Sequence, residues 1–558
     1  MDNYQIAEHF SFLSKLMDIH GENSFKAGSY AATAFNIEKL AINLSETPPD
    51  KLFSIKGIGE SGGKKIMELL ETGQLQVLNE LIAKTPEGVI EMLQIKGIGP
   101  KKIAVIWKEM QIESIGELQY ACQENRLKTY KGFGEKTQQN LLETIEFYFN
   151  NKGSFLYAQV EQIMPDIKNY LEKIFSPSPV KVTGAFLRQL PIIEELEFLV
   201  ENSKNFIKLK MVTANPPELL EEKENTLLYK LQNGLRLRFY TFDKNFNEHL
   251  FYLSGATSFT QAFVKKFPEV NLNDDEVTVF KNAGISFVPP FARENNSIID
   301  LAVQHKLPEV IKPDDIKGII HSHSNWSDGS YTIEEMATAA IKKGLEYLVI
   351  SDHSKSAFYA QGLSEEKIKE QHHYIDELNQ RFAPFKIFKS IECDILNDGN
   401  LDYSNSVLST FDLVITSVHS NLKMTEEKAM MRLLGAIQNP YTTILGHLTG
   451  RLLLSRKGYP VDHSKIIEAC ASNNVAIELN AHPSRLDMDW QYIGEAIKMG
   501  VLISINPDAH TIEGFDDTRY GVLVAQKALL TKEKNLSSFG LKEFEDYIYK
   551  VRKVKGLK

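Results

Sequence analysis

The sequence predicts a multidomain α/β protein: an all-α N-terminal region, a mixed α+β middle and a C-terminal barrel of seven strand–helix units. Three observations carry that prediction. The 558 residues exceed what a single hydrophobic core organises. Three glycine turns punctuate the first 150 residues between helix-like stretches. Beyond residue 317, seven short apolar runs alternate with amphipathic stretches, and each run ends in a polar cluster. Strands alternating with helices imply parallel pairing.

Composition narrows the classes. With 43% hydrophobic and 24% charged residues the chain reads as soluble and globular, and no apolar run approaches the roughly 18 residues of a membrane span. Met1-Asp-Asn-Tyr4 opens neither a basic nor an apolar leader segment, so a cytoplasmic location and no membrane partner are expected. Cys122, Cys393 and Cys470 are too few and too scattered for a disulfide framework, which fits a reducing compartment. A net charge of -10 excludes a protein that coats nucleic acid through bulk charge. Any DNA contact must then come from a local device.

Such a device recurs in residues 1–150. Ile55-Lys-Gly-Ile-Gly-Glu-Ser61, Ile95-Lys-Gly-Ile-Gly-Pro-Lys101 and Tyr130-Lys-Gly-Phe-Gly-Glu-Lys136 each join two helix-like segments. Gly57, Gly59, Gly97, Gly99, Gly132 and Gly134 let the backbone turn tightly and bring main-chain N–H groups to an anion, with Lys101 and Lys136 opening the following helices. Three copies of this turn predict helix-hairpin-helix DNA binding through the phosphate backbone, indifferent to sequence. The region holds 16 Lys and Arg against 20 Asp and Glu, so the grip is expected to be local and weak.

Residues 151–305 carry strand candidates at Val180–Thr183, Glu195–Val200 and Leu235–Tyr240. Thr183-Gly-Ala-Phe-Leu-Arg188, Leu253-Ser-Gly-Ala-Thr257 and Pro289-Pro-Phe-Ala-Arg-Glu294 follow one another here. Their order resembles the palm and thumb of the bacterial X-family DNA polymerases, PolX, and the resemblance extends over essentially the whole chain. It implies a two-metal nucleotidyl-transfer site built from D-x-D and a third Asp. This sequence departs from that pattern. Glu195 and Glu197 stand where D-x-D is expected, and Arg236 aligns with the third acid. A fixed cation where a carboxylate should draw in Mg²⁺ predicts a silent polymerase palm.

Lys306-Leu-Pro-Glu-Val-Ile-Lys-Pro-Asp-Asp315 reads as a linker over 306–316, which leaves 317–558 as a separate unit. There the strand candidates run into His321 and His323, then His353, Glu392, His419, His447, Glu478 with Asn480, and Asp508 with His510. Thr332-Ile-Glu-Glu335 opens one intervening helix with a capping box. Seven such units predict a closed barrel resembling the TIM type, whose C-terminal strand ends share one face. His321, His323, Asp328, His353, Glu392, His419, His447, Asp508 and His510 then converge on a polynuclear divalent-metal site. Arg451 and Arg485 are candidate phosphate contacts.

This order of ligands resembles the PHP (polymerase and histidinol phosphatase) domain, a distorted (βα)7 barrel. The resemblance implies three divalent ions, Mn, Zn or Fe, with Mg relevant only to a working palm. The expected function is metal-dependent 3′–5′ exonuclease or phosphoesterase action on DNA in repair, by a monomer. The alternatives are an active template-directed polymerase, a barrel hydrolase of the amidohydrolase type, a small-molecule phosphatase of the histidinol-phosphate kind, and a non-catalytic DNA-binding scaffold.

Overall fold

The computed structural model describes residues 1–558 other than 2, 39, 41, 56, 96, 151–152, 213–215, 243 and 558. Its chain contacts divide it into two units, Met1–Gln123 with Leu127–Glu146, and Glu124–Arg126 with Phe147–Lys558. Among the described residues no helix is long and apolar enough to cross a membrane.

The first unit is all-α. Helices Asn3–His20, Ser24–Glu38, Gly59–Thr72, Gln76–Lys84, Pro100–Lys108, Ile115–Gln123 and Glu135–Asn150 carry it. The first glycine of each hairpin takes one backbone conformation: Gly57, Gly97 and Gly132 sit at φ of +92°, +93° and +94°, a region closed to most side chains. Each second glycine leads directly into the next helix, and Lys101 and Lys136 lie exposed in those first turns. A Cβ on Gly97, Gly99, Gly132 or Gly134 would meet nothing within 4 Å, whereas one on Gly57 would strike the Asn36 side chain at 2.4 Å. The second and third turns are open to a ligand; the first is filled by Asn36, whose amide donates to the Gly57 carbonyl at 3.1 Å.

In the second unit, a five-stranded sheet orders as Val180–Thr183, Leu196–Val200, Arg236–Thr241, Thr226–Lys230 and Glu218–Lys223. The Leu196 and Arg236 strands pair in parallel, setting Glu197 beside Arg238, and the other pairs are antiparallel. Alternation buries Leu237 and Phe239 and turns Arg236, Arg238 and Tyr240 to the opposite face. The edge strand Glu218–Lys223 escapes pattern reading, because Glu-Leu-Leu-Glu-Glu-Lys is largely exposed and shows no period of two.

The barrel strands Gly318–Ile319, Tyr347–Ile350, Lys386–Asp394 with a bend at 390–391, Ile415–Ser417, Ile444–Leu445, Ala476–Asn480 and Ile503–Asn506 pair in sequence order, all parallel. A parallel bridge from Ser322 to Ala509 joins the last strand to the first and closes the ring. Both faces are covered, so strands such as Tyr347–Ile350 and Ile503–Asn506 are buried along their whole length. Residues 306–316 do not hang free: Ile311 is fully buried in the barrel core, and its N–H donates to the Leu530 carbonyl at 2.8 Å. All three cysteines are free and buried.

Candidate metal centre

The C-terminal strand ends bring all nine predicted ligands to one buried face. Just past the first strand, Gly318–Ile319, the chain turns through His321 in the left-handed region at φ +70°; Asp508 adopts the same region at φ +53°. Such conformations cost a non-glycine residue free energy and cluster at functional sites. They aim both side chains inward, where His321 Nε2 lies 3.4 Å from Asp508 Oδ1 and 3.3 Å from Glu392 Oε1.

Glu392 is the hub. Its carboxylate stands 3.1 Å from His419 Nε2, 3.0 Å from His447 Nε2 and 3.0 Å from His353 Nδ1. His323 Nε2 approaches Asp508 Oδ1 at 3.1 Å, and His510 Nε2 and His353 Nε2 approach Asp328 at 3.4 and 3.5 Å. The ligand atoms fall into groups that each lie within 4.8 Å: His323, Asp328, His353 and His510; His321, His323 and Asp508; His353, Glu392 and His419.

Charge keeps the carboxylates ionised despite burial. Burial pushes the Glu392 carboxyl up, but His419, His321 and His353 outweigh it and hold the group well below the usual carboxylate range. Asp508 is held down in the same way by His321 and His323. Burial lowers His419 and His510, yet Glu392 with Asp394, and Asp328 with Glu124, carry them to about 10. His323, buried and facing His510 and His353, is pushed down to about 3.

These residues fit divalent ions. His321 Nε2, His323 Nδ1, Asp328 Oδ2, Glu392 Oε2 and His510 Nε2 are buried without a hydrogen-bond partner, an arrangement that is costly unless a ligand meets those atoms. The donors are all imidazole nitrogen and carboxylate oxygen, a set suited to Zn, Fe and Mn. Cys393, between Glu392 and Asp394, faces the apolar core instead.

A supporting ring surrounds the ligands, and the sequence reading left its members outside the ligand list. Glu478 Oε2 lies 2.7 Å from His321 Nδ1, so that nitrogen carries the proton and Nε2 is left to face the centre. The same carboxylate accepts from the His447 N–H and from Asn480 and Asn506. Asp394 holds His419 Nδ1 at 2.8 Å. The strand-end positions of Glu478 and Asn480 were the available signal, but spacing alone does not separate a ligand from the group that orients it. Glu124, buried and grouped by its contacts with this unit, places an oxygen within 4.8 Å of ligand atoms of Asp508 and His510; nothing in its local sequence marks it.

The two arginines divide. Arg485 is 5% exposed with Nε 3.9 Å from Asp508 Oδ2, at the edge of the centre. Arg451 corrects the expectation of a phosphate contact. Its guanidinium donates to the Arg485 carbonyl at 3.0 Å and to the Leu486 carbonyl and pairs with Asp489, so it braces the Arg485 loop.

The palm residues also need one correction. Arg238, not Arg236, opposes the two glutamates. Its guanidinium clamps Glu195 through Nε and Nη2 and reaches Glu221 at 2.9 Å, while Arg236 Nε donates to the Glu194 carbonyl at 3.1 Å. Two residues apart, Arg236 and Arg238 share one strand face and one charge. Glu197 accepts from the Ala185 N–H at 3.2 Å and from the Tyr240 hydroxyl at 3.0 Å. It fills the turn at Gly184, where a Cβ would lie 1.8 Å from its carboxylate.

Comparison with known proteins agrees with this division. A helix-hairpin-helix domain family matches residues 1–75, a SAM-like helix-hairpin-helix tandem matches 89–146, and the PHP domain family matches 320–482. The chain is 31% identical to the DNA polymerase/3′-5′ exonuclease PolX of Bacillus subtilis (strain 168), over 95% of this chain and 96% of that protein. The barrel is similar to a probable phosphatase of Thermoanaerobacter sp. (strain X514), 28% identical over 42% of this chain and 96% of the relative. A probable phosphatase of Vibrio parahaemolyticus is 29% identical over 39% of this chain and 88% of its own length.

Proposed function

Because the chain belongs to the PolX family, we propose that its working chemistry is metal-dependent hydrolysis of DNA phosphodiesters from the 3′ end, carried by the barrel, with the palm silent as a polymerase. The observation that carries the reading is the convergence of nine nitrogen and oxygen ligands, eight buried and His419 half-buried, several of them with an atom that lacks a hydrogen-bond partner. Three divalent ions, Mn, Zn or Fe, are proposed for the ligand groups described above. Bound ions would supply a water activated near neutral pH and neutralise charge on the phosphate.

The chain's own contribution is placement. Glu478 fixes the His321 tautomer, Asp394 orients His419, and Arg485 stands where it can grip a phosphate oxygen beside Asp508. The open hairpins at Gly97 and Gly132, with Lys101 and Lys136, would hold the DNA backbone without reading sequence. Arg238 supplies five donors and no acceptor, so it holds Glu195 without offering a metal anything to bind. This favours a repair role for a cytoplasmic monomer.

A second reading, a phosphatase of small phosphomonoesters, is favoured by the likeness of the barrel to the probable phosphatases. The hairpins weigh against it, since such an enzyme has no use for them. The deciding experiment measures metal content of the purified protein and incubates it with 3′-labelled DNA and, separately, with histidinol phosphate. Stepwise 3′ shortening that depends on metal supports the proposal; turnover of the phosphomonoester alone overturns it.

A further inference from the structure

The palm has no evident task if its acids are clamped, yet the barrel reaches it through one buried cation. Lys527 closes helix Thr518–Lys527 and is 5% exposed. Its Nζ donates to the Arg188 carbonyl at 2.7 Å, to Glu294 Oε1 at 3.1 Å and to the Phe291 carbonyl at 3.4 Å, all on the polymerase-like part of the unit. Arg188 Nε pairs with the same Glu294 oxygen at 3.0 Å. A buried ammonium is tolerated only when its donors are met, and here the palm and thumb meet all three.

On the barrel side Lys527 Nζ lies 5.0 Å over the Trp490 ring. Trp490 follows Asp489, which pairs with Arg451, and Arg451 donates to the carbonyls of Arg485 and Leu486. Arg485 in turn stands 3.9 Å from Asp508. Pro483 and Leu486 of this loop face Tyr157, Gln189 and Pro191 of the palm around one small cavity. The helix itself rests directly on the barrel, since a Cβ on Gly521 would come within 2.6 Å of Ile505 and 2.7 Å of Ala481.

We propose that Lys527 is a positioning residue: the polymerase-like part serves as a seat that, through Lys527, Trp490 and Arg451, holds Arg485 at its working place beside Asp508. The inference rests on the hydrolytic reading above, because it assigns Arg485 to the reacting phosphate. It gives the silent palm a function in the barrel's reaction.

The plain alternative is that Lys527 only adds stability to a domain joint, and kinetics of the full-length protein separate the two. With saturating Mn²⁺ and bis(p-nitrophenyl) phosphate as probe, Lys527→Met should lower kcat about ten- to a hundredfold, the scale of a displacement of about 1 Å at a reacting group. Bound metal should stay at the wild-type level and Lys527→Arg should recover part of the rate. Glu294→Gln, which leaves the barrel sequence intact, should show the same loss more weakly. The double variant Lys527→Met with Arg485→Ala should be no slower than Arg485→Ala alone, because one residue acts through the other.

Wild-type kcat in a folded Lys527→Met protein, or losses that multiply in the double variant, would overturn the inference while leaving the hydrolytic reading intact. If Lys527→Met does not fold, the Glu294→Gln and Arg485→Ala pair decides by the same non-additivity. Absence of metal-dependent hydrolysis by the wild-type protein would remove both.

Discussion

Barrel and palm both present carboxylates at strand positions that face one another, and they differ in what stands opposite. Glu392 and Asp508 face imidazoles; Glu195 faces a guanidinium. An imidazole that pairs with a carboxylate can give up its proton and turn the same lone pair to a metal, so carboxylate and histidine become co-ligands. A guanidinium keeps its charge at any physiological pH and has no lone pair to offer. Two sites rich in acids therefore have opposite prospects, and the residue across the strand decides which is which.

The comparison breaks most severely if the barrel ligands prove dispensable. Replacing Asp508 or His321 by Ala should reduce metal-dependent hydrolysis of 3′-labelled DNA to background and lower bound metal, with DNA affinity unchanged. Each removes a buried donor from the proposed ligand groups. Undiminished hydrolysis by both variants would end the assignment.

Next in size is the proton count. Burial lowers His419 and His510, but facing carboxylates carry them to about 10, so both hold a proton at neutral pH when no metal competes. A metal needs the lone pair, so loading must expel protons. Affinity should then fall as pH drops from 9 to 6, by up to about tenfold per pH unit for each proton released. Titrating Mn²⁺ into weakly buffered protein and following acid release measures this directly. Binding that is independent of pH would contradict the exchange on which the contrast rests.

The palm sharpens the contrast from the other side. In an Asp508→Ala background, which protects product, primer extension with dNTPs and Mg²⁺ or Mn²⁺ should give no template-directed product. Arg238→Asp in that background should create Mn²⁺ binding, detectable by electron paramagnetic resonance, because it frees Glu195 and adds a third acid beside Glu197. Extension without that change would restore the polymerase reading.

The smallest effect concerns delivery of DNA to either site. Gly97→Val or Gly132→Val should weaken DNA binding several-fold, with a shallow salt slope because few phosphates are neutralised. Both positions need positive φ, which strains a valine there, so Tm should fall as well, although the open space around them adds no clash. Gly57→Val should lower Tm further, since its side chain would also collide with Asn36. Fluorescence anisotropy at several salt concentrations, paired with melting curves, tests all three.

Much of this was legible before any coordinates. Runs such as Tyr347–Ile350 ending in Asp352-His353 mark buried parallel strands, and strand ends of a barrel share a face, so the convergence of these side chains followed from topology. What the sequence could not separate was role. Asp352 looks like a ligand beside His353, yet it accepts from Ser324, Ser327 and Gln371 behind the centre. Arg451 looks like Arg485, yet one braces the loop that carries the other. Arg236 and Arg238 share a face and a charge; the register sets Arg238 beside Glu197, and only the side-chain contact shows that it also clamps Glu195. These distinctions depend on contacts from 19 to 43 residues apart in sequence, which no local pattern encodes.

Cys393 carries a consequence for how the centre withstands oxidants. It sits one residue from the hub carboxylate, but strand alternation turns its sulfur into the apolar core, and burial pushes the thiol up, far from the reactive thiolate form. A peroxide that enters the mouth of the barrel meets imidazoles and carboxylates and no sulfur ligand. A thiol reductant should therefore restore nothing after peroxide treatment of the metal-loaded protein, because none of the proposed ligand side chains has a sulfenic or disulfide state to be reduced.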